Sequence, residues 1–494
     1  MPATPTSESL LGDRPQVFVG GRWTTPSDGA TVRITNPATR EHLGDAALGT
    51  VAEMDAAVAA ARTSFDSGVW SRATPAERAA VLHKAADLLE QRLPTLSDGL
   101  TRELGCPLWF SRAAHASNAF RHLRYYAALI ESMEFAETRR DESGATSVVT
   151  QEPVGVVAAI TPWNSPLSNP MMKLSPALAA GCSAILKPPP DTPLSGYALA
   201  EALADAGLPD GVLSVVPADR QVGEYLVAHR EVDKVSFTGS TAAGKKIMAA
   251  CADRVARVTL ELGGKSAAIV LDDADPAEVI PAVLPMSLML AGQACIAQTR
   301  ILLPRSRYAE FVDALAQGMR ELVVGDPLDD ATTIGPLVND RQRDRVEGYL
   351  ATGRAEGARL VVGGGRPRLA GDLAAGCFVE PTLFAEVDNR MRIAQEEIFG
   401  PVLVAIPYDG DEEGVQLAND TVYGLAGSVW STDDDRALRI AGRMRTGMVS
   451  VNGHRQAYGS PLGGFKQSGM GRELGPEGIR PYLEPKSVAV GAGR

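Results

Sequence analysis

KVSFTGSTAAGKKIMAAC, residues 234–251, is the stretch whose reading decides the fold. A short apolar run enters a turn bracketed by Gly239 and Gly244, and the turn opens a segment of helical composition. Unpaired backbone N–H groups at such a helix N-terminus attract a pyrophosphate. The string G-S-T-x-x-G is not the usual G-x-G-x-x-G, and alone it also describes a plain strand-to-helix turn. The nearest match to the usual string, GMGREL at 469–474, follows no strand pattern and is read as a decoy.

Working outward, short apolar runs alternate with helical stretches. VVAAI (156–160) leads into TPWN; the run at 183–186 leads into Lys187 and three prolines. The segment LSGYALAEALADAG stops at Gly207 with Pro209 beyond, a normal helix end. VLSVV (212–216) and SAAIVL (266–271) supply further apolar runs. Apolar strands of four to six residues separated by helices predict a parallel sheet covered on both faces, the doubly wound α/β class. Residues 17–44 read as short strands and turns. Two capped helices follow, started by Thr50 with Glu53 and by Thr74, Pro75 and Glu77. A second α/β region begins after 263, with strands in EEIFGPVLVAIPY and YGLAGSVWS. A boundary falls near 262, where Gly263–Gly264 can hinge.

Composition excludes several classes. The 494 residues carry 48 Lys+Arg against 60 Asp+Glu, a net charge of −12, which argues against nucleic acid as a partner. No uncharged apolar stretch approaches the ~18 residues of a membrane span. The start, MPATPTSESLLGDRP, lacks the pattern of a secretory signal. Five cysteines without a C-x-x-C pair disfavour a disulfide framework and a zinc site, so a reduced, cytoplasmic compartment is expected. The six histidines show no ligand spacing, and no catalytic metal is expected. Cys106, Cys182, Cys251 and Cys377 read as small buried hydrophobes.

Three residues form a chemical set. Cys295 sits in GQACIAQTR, Glu261 in LELGGK 34 residues earlier, and Asn164 in TPWNSP 131 residues before the cysteine. Each has an ordinary reading: a buried thiol, a surface or capping carboxylate, a turn-forming amide. Together they suit aldehyde oxidation. A thiolate adds to the carbonyl carbon, and a carboxamide and a backbone N–H stabilise the resulting oxyanion; one such donor is typically worth ~3 kcal/mol. Collapse expels hydride to a nicotinamide and leaves a thioester, which water hydrolyses with a carboxylate as general base.

The chain resembles the aldehyde dehydrogenase superfamily over nearly its whole length. TPWN, LKP, FTGSTAAG, LELGGK, GQACIAQTR, EEIFGPV and GGFKQSGMGRELG occur in family order at family-like spacings. The resemblance implies two doubly wound parallel-sheet domains: an atypical Rossmann cofactor domain (residues 1–130 and 153–262) and a catalytic domain (263–466). A small β element (131–152 and 467–494) would build homodimers or homotetramers. It implies Cys295 as nucleophile, Glu261 as general base, Asn164 as oxyanion donor beside the Cys295 N–H, and Lys173 as a supporting lysine. Trp163, Lys187, Gly239, Ser240, Gly244, Glu397 and Phe399 would contact an NAD or NADP coenzyme, Lys187 at the adenosine ribose and Glu397 and Phe399 at the nicotinamide end.

Two departures bear on specificity. Pro190 stands where relatives carry the carboxylate that binds the ribose hydroxyls; NAD remains favoured because PPPDTP offers no Arg or Lys to a 2′-phosphate. The residues matching aromatic tunnel positions are Ser165, Met172 and Leu462, with Tyr458 nearby. Loss of aromatic faces disfavours a quaternary ammonium aldehyde. An apolar aliphatic, terpenoid or aromatic aldehyde is expected, and Arg455 leaves a carboxylated semialdehyde as the alternative. Glu261 favours hydrolysis over acyl transfer to coenzyme A. A catalytically dead relative should have lost Cys295, Glu261 or Asn164, and a thiol esterase would turn over without NAD(P).

Overall fold

The computed structural model describes residues 10–491; residues 1–9, most of the stretch read for a secretory signal, lie outside them. The chain forms an eight-stranded sheet, a seven-stranded sheet, a three-stranded sheet and a two-stranded hairpin. The centre of the first sheet is parallel: Arg257–Glu261, Lys234–Thr238, Val156–Ile160, Ser183–Lys187 and Leu213–Val215 lie side by side in that order. Val156–Ile160, Ser183–Lys187 and Lys234–Thr238 are buried throughout, as strands covered on both faces must be. Their order places 183–187 on one side of 156–160 and 234–238 on the other. The chain direction across the sheet therefore reverses between 156–160 and 234–238, and the crevice at their carboxyl ends is where such sheets bind ligands.

The sheet edges depart from the expected parallel pattern. Val17–Val19 and Arg22–Thr24 close one edge antiparallel, and Gly469–Met470 pairs antiparallel with Arg257–Glu261 at the other. The second sheet is parallel from Thr382–Ala385 through Ser450–Val451, with Arg359–Val362 as its antiparallel edge. In the third sheet Thr146–Pro153 lies between Ala136–Arg140 and Leu483–Val490. Of the segment from 467 onward, only the last strand joins this third sheet; Gly469–Met470 belongs to the first.

Both predicted capping boxes form, at Thr50 with Glu53 and at Thr74 with Glu77. Gly207 ends its helix in the left-handed conformation, at φ 96°. Gly263 and Gly264 are approached closely by other segments. A Cβ on Gly264 would lie 2.3 Å from the Cys295 carbonyl oxygen, and one on Gly263 2.5 Å from a Glu397 carboxylate oxygen. They are glycines because other segments close down on them.

Candidate active site

The nucleophile candidate stands on a constrained loop. Between the helix Pro276–Leu288 and the strand Arg300–Pro304, Leu290 and Ala291 both adopt left-handed backbone angles, φ 53° and 54°. Such angles are costly for side-chain-bearing residues and persist only where the surroundings enforce them. Gln293 supplies part of that enforcement: its side-chain amide donates to the Leu290 carbonyl at 2.8 Å and accepts from Val338 N–H at 3.0 Å. Arg300 braces the start of the strand that follows the loop. It is fully buried and donates to Lys265 O, Asn389 Oδ1, Leu417 O and Ala418 O at 2.7–3.0 Å.

A cavity of about 230 Å³ opens at the carboxyl ends of strands 156–160 and 234–238. Trp163, Asn164, Gly239, Ser240, Cys295, Glu397 and Phe399 all line it, so residues from four separated segments meet there. The Asn164 amide donates to the Gln293 carbonyl at 2.8 Å, while its oxygen accepts from Asn169 at 3.3 Å; this fixes the amide against the Cys295 loop. Burial pushes the Cys295 thiol up to about 12, helped by the Glu397 and Glu261 charges and opposed by the Cys295 and Ile296 N–H groups. A thiol so placed stays protonated near neutrality until a base removes its proton.

Glu261 ends its strand 3% exposed, with neither carboxylate oxygen hydrogen-bonded. It sits behind the cavity lining, which passes through its neighbours Leu262 and Gly263. Burial raises its pKa well above the usual carboxylate value, and the Glu473 charge adds to this; Lys173 and Arg472 oppose it. Lys173 is fully buried and donates to Glu473 Oε1 at 2.5 Å and to Thr238 Oγ1 at 2.6 Å. Glu473 lies inside the GMGREL string set aside as a decoy, and sequence reading missed it. The available signal was Lys173 itself, since a buried ammonium requires a carboxylate.

The coenzyme residues divide between the cavity and its surroundings. Ser240 caps the helix Thr241–Ala252 by accepting from Ala243 N–H. Gly239 and Gly244 lack side chains because a Cβ would strike the Phe237 ring and Leu262. Glu397 accepts from Gly264 N–H at 3.0 Å, and Phe399 packs edge-on against Trp163 at 5.4 Å. Lys187 ends the neighbouring strand outside the cavity lining, and burial lowers its pKa to about 8. A capped helix N-terminus, an aromatic pair and a carboxylate around one crevice can accommodate a dinucleotide.

A second cavity, about 760 Å³ and mostly apolar, is lined by Trp109, Phe110, Met289, Leu290, Ile296 and Arg455 among others. The four residues predicted for the substrate pocket do not line it. Ser165 faces His115 at 3.4 Å, and Tyr458 donates to or accepts from His122 at 2.7 Å and stacks on its ring. Leu462 exchanges backbone hydrogen bonds with Glu473, and Met172 is part-buried on the helix Ser168–Ala180. The helical segment before 115 and the loop before Cys295 build part of the wall of this second cavity. Cys106, Cys182, Cys251 and Cys377 are buried free thiols, as expected.

A doubly wound sheet whose switch-point crevice faces a cysteine-bearing loop defines the class: a dinucleotide-dependent oxidoreductase. The chain belongs to the aldehyde dehydrogenase family, whose model matches residues 23–488, and it is an NAD(P)-dependent enzyme. It is 49% identical over 477 residues to geranial dehydrogenase of Castellaniella defragrans, covering 96% of this chain and 98% of that one. It is 41% identical to 3-succinoylsemialdehyde-pyridine dehydrogenase of a Pseudomonas species, covering 97% and 99%. Among solved structures, the Mycobacterium tuberculosis aldehyde dehydrogenase complexed with NAD+ superposes with a TM-score of 0.95 at 47% identity, covering 98% of this chain and 99% of that one.

Proposed function

We propose that the enzyme oxidises an apolar aldehyde, aliphatic, terpenoid or aromatic, to its carboxylic acid. The observation that carries this is the apolar cavity beside the Cys295 loop. Each methylene buried there contributes ~0.8 kcal/mol, so a medium-length chain gains several kcal/mol. A carboxylated semialdehyde is the second reading, supported by Arg455 on the cavity wall and by the semialdehyde relative. Arg455 is exposed, and an ion pair in water is worth ~0–1 kcal/mol, less than the apolar gain. The geranial dehydrogenase relative supports the same choice.

In this reading the Cys295 thiol loses its proton to solvent, and the sulfur adds to the aldehyde carbon. The Asn164 amide and the Cys295 N–H hold the oxyanion. The bound coenzyme supplies the hydride acceptor. Glu261 then takes a proton from the water that attacks the thioester and returns it to the departing sulfur, so the acid leaves and the thiol is restored. NAD+ is the proposed coenzyme, with NADP+ as the comparison arm because Pro190 carries no carboxylate to repel a 2′-phosphate. The three-stranded sheet supports assembly as a homodimer or homotetramer, and five free thiols support a cytoplasmic location. Among the described residues no helix is long and apolar enough to cross a membrane.

Steady-state kcat/KM for octanal, geranial and benzaldehyde against succinic semialdehyde, each with NAD+ and NADP+, tests the proposal. The apolar set is expected to win by tenfold or more; a clear preference for succinic semialdehyde overturns it.

A further inference from the structure

The apolar cavity beside the Cys295 loop carries a polar patch on its wall. Gln298 and Ser450 both line it, with Ala426, Gly427 and Met448, and they are only 3% and 9% exposed. The sheet register brings the two together. Ser450 opens the strand Ser450–Val451 and pairs in parallel with Ser428 of the strand Gly427–Trp430. The two serine side chains therefore share a face, on strands about 4.8 Å apart. Ser428 Oγ in turn meets Gln298 Oε1 at 2.5 Å.

Hydrogen-bond chemistry fixes which way the Gln298 amide points. The Trp430 indole N–H, which can only donate, reaches Ser428 Oγ at 2.7 Å. The Ser428 hydroxyl therefore donates its own proton to Gln298, and the receiving atom must be the amide oxygen. The amide nitrogen, with its two N–H donors, turns away from Ser428. The Gln298 main chain is pinned as well, since Ser287 Oγ donates to its carbonyl at 2.7 Å. Among the described residues Ser450 Oγ has no hydrogen-bond partner, and none accepts from Gln298 Nε2. Buried polar groups left in this state are costly, and both stand on the wall of a cavity otherwise suited to hydrocarbon.

We propose that this pair is a specificity niche for an uncharged oxygen, a hydroxyl or a ketone, carried on the tail of an apolar aldehyde. Gln298 donates to that oxygen, and Ser450 donates to it or accepts from it. Gln298 follows Cys295 by three residues, so its Cα lies within about 11 Å of the nucleophile's, a spacing that a medium-length substrate bridges. A carboxylate on the tail would need a buried cation to offset its desolvation, and Arg455, the arginine on this wall, is exposed. The inference rests on the apolar-aldehyde reading above and sharpens it.

Steady-state kcat/KM of the full-length enzyme with NAD+, for hexanal, octanal and decanal and for their ω-hydroxy counterparts, tests the niche. At one of these lengths the hydroxy aldehyde is expected to match or exceed its parent, because a site built to bond an oxygen penalises the analogue without it. Ser450→Ala and Gln298→Leu should each cut that hydroxy-to-parent ratio about tenfold. Because Ser450 Oγ is unpartnered among the described residues, Ser450→Ala should melt within a few degrees of wild type, even where Gln298→Leu, which strips Ser428 of its acceptor, melts lower. A hydroxyl penalty at every length means that the pair serves only water, and overturns the niche; so does a ratio that either variant leaves unchanged. Slow turnover of all three parents beside rapid turnover of succinic semialdehyde overturns the apolar reading itself, and the niche falls with it.

Discussion

Glu261, the proposed base, is held between two neighbours of opposite sign. Burial and the Glu473 charge disfavour its ionised form; Lys173 favours it. General-base catalysis by Glu261 needs the ionised form, so activity should fall as pH drops through its raised pKa. Glu473→Gln removes a like charge and also frees Lys173 from its partner. Both changes favour ionised Glu261, so the acidic limb of the kcat–pH profile should move to lower pH. Lys173→Met removes the favourable charge, and the limb should move to higher pH. Stopped-flow or steady-state profiles on the three proteins check this; limbs that coincide would remove the buried pair from control of the base. Glu261→Gln is the companion variant. It should retain a thioester on Cys295, read as an added acyl mass in intact-protein mass spectrometry, with turnover down at least a hundredfold, a typical general-base contribution. Wild-type turnover in this variant would remove Glu261 from the mechanism.

At the scale of elements, the strand that follows the Cys295 loop begins at a residue that does no chemistry. Arg300 donates to three backbone carbonyls and the Asn389 amide oxygen from a fully buried position. Arg300→Met leaves these acceptors buried and unpaired. Each such loss costs about 1–3 kcal/mol, so the domain should lose on the order of 3 kcal/mol even after partial relaxation. A lower urea midpoint at unchanged slope would register it, and an unchanged midpoint would mean that water or the backbone replaces the guanidinium. Arg300 marks what the sequence left unread. The strands at 156–160 and 234–238 were legible because two-sided burial demands continuous apolar runs, and Thr50 and Thr74 because capping is local chemistry. Cys295, Asn164, Glu397 and Phe399 were legible as motif residues, and they do meet in one cavity. Glu473 and Arg300 escaped because their partners lie 300 residues or dozens of residues away, and nothing local records a long-range partner. The apolar cavity escaped for a related reason: its wall uses Phe110 beside a π-helical turn at Ser111–His115, a local irregularity with no composition signature.

The whole molecule carries an element too thin to explain alone. Ala136–Arg140, Thr146–Pro153 and Leu483–Val490 form a three-stranded sheet whose outer strands are mostly exposed; all of Ala136–Arg140 is solvent-facing. Val488 and Val490 are 45% and 39% exposed on an edge strand. A small sheet open on its faces and at an edge strand is a template for pairing with another chain. Assembly through this sheet would cover those valines and remove the open edge. The double substitution Val488→Asp and Val490→Asp places charge where an apolar contact is expected, and a desolvated unpaired carboxylate is costly. Light scattering behind size exclusion should then report a shift toward the 52 kDa monomer. The active site lies in a different part of the chain, so coenzyme binding measured on the same sample should persist. An unchanged oligomer in the double variant would assign assembly to another surface, and a monomeric wild-type protein would remove assembly from the account of this sheet altogether.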